Sequence, residues 1–221
     1  MHTASKSYLF VKYPHMTSDK NINFRVLEAD YPVLCKDLTI EKDDFVALVD
    51  YCFANSDYIS FSDPWRNYYP ETWRTRKTND KFFSRISDSK VSTFETRKWP
   101  SGMTVQEDED FAGYNIIHVY KCTSALKNLL LGYTDNIFFE IYDNETGRYI
   151  VDPNMPDDMC FIRDNKLLLS TVSIASCCHA YPGIADELKF FTNLVGGYGY
   201  FLEDNNCEWN NILIDFSGSR L

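Results

Sequence analysis

Alternation of apolar and polar positions predicts short strands over Tyr8–Tyr13 (YLFVKY), Asn23–Ala29, Asp57–Phe61 and Asn115–Cys122. Helical periodicity is clearest over Leu38–Ala54. There Thr39 is the expected cap, Asp43 and Asp44 suit the first turn, and Phe45, Leu48, Val49 and Cys52 form one apolar face. A second helix is expected from Ser124, as cap, through Leu131 to a stop at Gly132. A third runs over Ala185–Val195 and stops at Gly196-Gly197. Two hairpins stand out: Ile137–Tyr142 with Gly147–Val151 around Asn-Glu-Thr-Gly, and Met159–Arg163 with Leu167–Ser173 around Asp164-Asn165-Lys166. Phe201–Leu202 and Ile212–Phe216 close the pattern as weak strands. Residues 62–112 show little periodicity and hold three of the four tryptophans, Trp65, Trp73 and Trp99. They predict an irregular, aromatic-rich insertion or a twisted hairpin. The sum is a single α+β domain over residues 1–221, with a mainly antiparallel sheet and two or three helices packed on it.

Composition sharpens this. With 44% hydrophobic and 16% aromatic residues, the 221-residue chain can build its own core, and the aromatics favour half-buried pleated surfaces. The opening residues lack an apolar export signal and nowhere do 18 apolar residues run together, so a cytoplasmic protein with no membrane partner is expected. Seven cysteines, an odd number, then read as reduced thiols. Net charge is −10, but residues 66–98 carry nine cations against four anions, while residues 107–221 carry seven against eighteen. The molecule is acidic with one basic island. Nucleic acid is disfavoured as a partner and a basic protein favoured.

Candidate chemistry centres on Cys177-Cys178-His179. In an extended segment neighbouring side chains point to opposite faces, so only one of these thiols can share a face with the imidazole. No C-x-x-C supplies a zinc pair, and no cofactor or metal is expected. Free cysteine is most often core, so the structural reading is preferred; the alternative is an enzyme using Cys177 or Cys178 with His118 or His179 as base. His118, between Ile117 and Val119, reads as a satisfied strand residue. Gly196-Gly197-Tyr198-Gly199 lacks phosphate-loop spacing and reads as a helix stop. The island Trp65–Lys77 interleaves Trp65, Tyr68, Tyr69 and Trp73 with Arg66, Arg74, Arg76 and Lys77. That stretch reads first as an ordinary packed loop with solvated cations; its composition also suits a protein contact or, as a second alternative, a single-stranded nucleic-acid groove. The carboxylates of Glu107, Asp108, Glu109 and Asp110, and of Asp157 and Asp158, fit no metal-binding repeat. They read as solvated surface or as an acidic face for a basic protein.

The segment Pro156–Cys178 (PDDMCFIRDNKLLLSTVSIASCC) resembles a motif of bacterial immunity proteins, which neutralise toxins of polymorphic and contact-dependent systems. The shared parts are Pro156-Asp157-Asp158, the strand Cys160–Arg163, the Asp164-Asn165 turn and the step Thr171-Val172-Ser173; where such chains carry His-Glu, this one has Ile174-Ala175. The resemblance implies a non-catalytic inhibitor that occludes the active site of a basic toxin, a nuclease among the possibilities. It assigns no functional residue. Composition and charge, independently of the resemblance, make Trp65, Tyr68, Trp73 and the carboxylates named above the expected partner contacts.

Overall fold

The computed structural model describes residues 23–26, 34–36, 40–63, 79–96, 99–100, 115–145, 147–152, 155–156, 158–173, 177–194, 200–201 and 212–215, with side chains for most of them. The fold is α+β and mainly antiparallel. A ten-stranded sheet carries helices on one face, and a separate two-stranded hairpin projects beside it.

The sheet's centre is β3 (Tyr58–Asp63), flanked by β5 (Asn115–Lys121) on one side and β8 (Asp158–Arg163) on the other. Outside β5 lies β4 (Lys90–Thr96). Outside β8 follow β9 (Lys166–Val172), β10 (Cys177–Ala180), β2 (Leu34–Lys36) and β11 (Tyr200–Phe201). β1 (Asn23–Val26) pairs with β12 (Ile212–Asp215), which touches β9 at Leu213–Lys166. β8 and β9 form the expected hairpin. Its turn, Asp164-Asn165, has φ of 49° and 61°, the left-handed pair that matches strand twist.

Alternation along the strands divides the interior in two. Ile59, Phe61, Tyr120, Met159, Phe161 and Cys178 point to the helix side. There they meet Phe45, Leu48, Val49 and Cys52 of α1 (Lys42–Asn55), Leu126 and Leu130 of α3 (Ser124–Tyr133), and Phe191 of α4 (Ala185–Leu194). The intervening positions, Ile117, Val119, Cys160 and Ile162, pack on the opposite face with Phe94, Trp99 and Tyr181. The strands between these layers are buried on both sides, which is why β8 and β9 read as nearly continuous apolar runs.

Three expectations need correction. The stretch 62–112 is regular between residues 79 and 96: α2 (Asn79–Arg85) covers Phe61 with Phe82, a 3-10 turn follows at Ser87–Ser89, and β4 then joins the sheet. Helix α1 starts at Lys42, because the preceding residues are drawn into tertiary pairing. Ile40 O accepts from Ile137 N at 2.9 Å, Glu41 bridges Asn136, and Lys42 N donates to Asp135 O at 2.7 Å. Glu41 takes the cap position, and Thr39, the expected cap, lies outside the described residues. In α3 the cap is Thr123, whose Oγ1 accepts from Leu126 N at 3.2 Å, and the helix runs through Gly132 to Tyr133. Among the described residues no helix is long and apolar enough to cross a membrane. The expected strand Tyr8–Tyr13 and the Gly196-Gly197 stop lie outside the described residues.

Candidate functional site

The Cys177-Cys178-His179 centre separates along β10 as alternation requires. Cys178 is buried in the helix-side core, whereas Cys177 and His179 are half-buried on the other face, with Sγ and Nε2 3.5 Å apart. His118 belongs to a different part of the sheet. It lies on β5, hydrogen-bonded to Thr93 Oγ1 at 3.2 Å and tilted against Phe83 with ring centroids 4.3 Å apart. Four inter-strand steps separate β10 from β5, roughly 19 Å at normal strand spacing, so neither cysteine forms a dyad with His118. Among the described residues no three potential metal ligands converge.

Three of the other described thiols are poor nucleophiles. Burial pushes the Cys122 thiol up to about 12, and burial drives Cys52 and Cys160 upward as well. Cys160 lies in a row of small polar residues that crosses the sheet through register pairs Ser60–Cys160, Cys160–Ser170 and Ser170–His179. Two hydroxyls of that row are bonded by residues of the adjoining core: Trp99 Nε1 donates to Ser60 Oγ at 3.1 Å, and Ser170 Oγ meets the Tyr181 hydroxyl at 3.2 Å. The buried Tyr120 hydroxyl finds no partner among the described residues, and burial raises its pKa, so it stays protonated.

Among the described residues two carboxylates are turned inward. Asp158, an expected partner contact, is only 3% exposed, and its Oδ1 accepts from Ser173 N at 2.6 Å and Thr171 Oγ1 at 3.2 Å. It fastens β8 to the end of β9 and does not present a charge to a partner. Glu187, at the start of α4, is 1% exposed and receives the Arg163 guanidinium together with Gly183 N at 2.6 Å. Burial alone would raise its pKa, but the Arg163 bond, the Gly183 and Ile184 amides and the Arg163 charge together lower it. A side chain at Gly183 would sit 3.4 Å from Arg163 and 3.5 Å from Glu187, against the pair. These residues hold α4 on the sheet.

The exposed apolar surface is concentrated elsewhere. β6 (Glu140–Asp143) and β7 (Arg148–Val151) form the two-stranded hairpin expected from the Asn-Glu-Thr-Gly turn, with Gly147 at φ 67°. Ile141, Tyr142, Tyr149 and Ile150 are 42%, 53%, 69% and 39% exposed, four of the six large exposed hydrophobic residues described. Carboxylates surround them. Residues 41–44 and 135–152 hold eight (Glu41, Asp43, Asp44, Asp135, Glu140, Asp143, Glu145, Asp152) against two cations (Lys42, Arg148), a net −6. The start of α1 is tied to the hairpin's base by the Glu41–Asn136 bridge. Lys42 is engaged by Glu41 through a 2.9 Å bond, which raises its pKa and keeps it charged, and the net −6 already includes that pair.

This surface is absent from the sequence-based list of contacts. The signal was present: Ile141-Tyr142 and Tyr149-Ile150 put apolar residues on both faces of each strand, a pattern normally read as burial on both sides. Of the expected partner contacts, Trp65, Tyr68, Trp73, Glu107, Asp108, Glu109, Asp110 and Asp157 lie outside the described residues. In comparisons with protein-family models, curated proteins and solved structures, nothing matches the chain.

Proposed function

We propose that the chain is a non-catalytic binding protein that engages a basic protein partner through the acidic β6–β7 hairpin, whose two faces carry exposed apolar pairs. In the form implied by the immunity-protein resemblance, it neutralises a toxin by occluding its active site. One observation carries the reading: four large apolar side chains, two of them tyrosines, stand in water on one small hairpin within a net −6 surround. Exposed apolar patches on monomers mark contact surfaces, and tyrosine is among the residues that anchor them. The negative surround steers a cationic partner and selects against acidic ones. The test is co-production. Cells making the partner toxin are expected to grow when they also make this chain, and to stop growing when the chain carries Tyr142→Ser and Tyr149→Ser. Equal growth with and without the chain counts against the inhibitor reading.

A second reading is supported by the 3.5 Å approach of Cys177 Sγ to His179 Nε2, a spacing at which an imidazole can activate a thiol. Mass mapping of iodoacetamide-treated native protein separates the two. A binding protein is expected to alkylate Cys177 no faster than free cysteine near neutral pH; a rate more than ~10-fold above it favours thiol chemistry.

A further inference from the structure

We infer that the β6–β7 hairpin enters a concave, cation-lined cleft of its protein partner and is contacted there on both faces, an inference that rests on the binding reading above. Directly paired residues of an antiparallel hairpin share a face. Ile141 pairs with Ile150, and Tyr142 with Tyr149, so one face carries an aliphatic pair and the other an aromatic pair. The tyrosine rings meet edge-on with centroids 5.4 Å apart. A partner lying flat against the hairpin would cover one pair and leave the other in water. Only a surface with two walls covers both.

The hairpin's base is built to hold it out. Asn136 clamps Glu140 from both sides: its Nδ2 donates to Glu140 O and its Oδ1 accepts from Glu140 N, each at 2.8 Å. Asp152 N donates to Phe139 O at 2.7 Å, closing the other strand over buried Ile137, Phe138 and Phe139. Such anchoring reduces the ordering cost of association. Four-residue strands extend roughly 14 Å, a depth suited to an active-site groove. Glu140, Asp143 and Glu145 ride with the apolar pairs against one cation, Arg148 opposite Asp143, so the cleft they fit is lined by Lys and Arg, as a groove that binds phosphate is. A second copy of this chain is a poor occupant, because the same carboxylates would meet themselves.

The test starts from the full chain used as bait in an extract of its source cells, followed by purification of the protein it retains; retention alone decides nothing. That purified partner is titrated with wild type, with Ile141→Ser/Ile150→Ser, with Tyr142→Ser/Tyr149→Ser, and with Ile184→Ser as a distant exposed control. Each face pair is expected to raise Kd by roughly 30-fold or more, while the control stays within about twofold. Loss from one face only overturns the cleft and leaves the binding reading standing. Wild-type affinity in both double variants removes the hairpin from the contact. Failure to retain any saturable partner overturns both, and self-association through the hairpin overturns the cleft in favour of a second copy. Photo-crosslinking from benzoylphenylalanine at positions 141 and 149 guards against misfolding of the serine variants: both positions are expected to link to the partner, and a link from only one contradicts two-sided contact.

Discussion

Removing the Glu187 side chain tests how α4 is fixed to the sheet. The carboxylate accepts from the Arg163 guanidinium and from the amides of Gly183 and Ile184, at the helix start where amides lack helical partners. In Glu187→Ala, loss of the two amide bonds costs about 1 kcal/mol each. Loss of the ion pair adds about 1 kcal/mol more, below the figure for a fully buried pair because Arg163 keeps a third of its side chain in water. The total, about 3 kcal/mol, corresponds to a fall in Tm of roughly 6–12 °C for a domain of this size. Glu187→Gln keeps an acceptor and is expected to lose about half as much. The pH dependence follows from the depressed carboxyl pKa. Stability from Glu187 is fully present above its ordinary value of 4.5 and is lost as pH falls through the lower folded value. The gap between wild type and Glu187→Gln, followed by thermal and urea unfolding, is therefore expected to be constant above about pH 5.5 and to shrink below pH 4.5. An alanine variant melting within about 1 °C of wild type, or a gap that widens on acidification, would refute the assignment.

Two further substitutions probe the sheet and a helix start. Trp99→Phe deletes the donor to buried Ser60 and is expected to cost about 2 kcal/mol in urea unfolding. The Trp99→Phe/Ser60→Ala double variant should lose less than the sum of the single changes, because the two remove one shared bond. Thr123→Ala removes the α3 cap and is expected to cost about 1 kcal/mol, with Thr123→Asp close to wild type in the same melting assay.

Local signals carried the fold where tertiary context agreed with them. Asp164-Asn165 supports left-handed backbone and produced its hairpin; Phe45, Leu48, Val49 and Cys52 formed the buried stripe of α1. The α1 start shifted because no local pattern encodes a backbone pairing between Ile40–Lys42 and Asp135–Ile137. β4 was hidden because Lys90–Thr96 (KVSTFET) carries few strong hydrophobes, and its place depends on a neighbour, β5, beyond a long connection. Site residues were harder still. Asp158 looks like a surface acid in sequence, and only the neighbouring backbone of Ser173 and the hydroxyl of Thr171 reveal it as an internal fastening. The β6–β7 hairpin was legible from its turn, but the exposure of Ile141, Tyr142, Tyr149 and Ile150 was not, because apolar residues on both faces of a strand ordinarily accompany burial.

The most direct measurement is the association rate of the chain with its purified partner across ionic strength. If function rests on negative potential around the hairpin, the rate falls by at least about tenfold between 50 and 500 mM salt, and Glu140→Lys/Glu145→Lys slows association at low salt while flattening that dependence. A rate indifferent to salt, and unchanged by reversing those two charges, would contradict it.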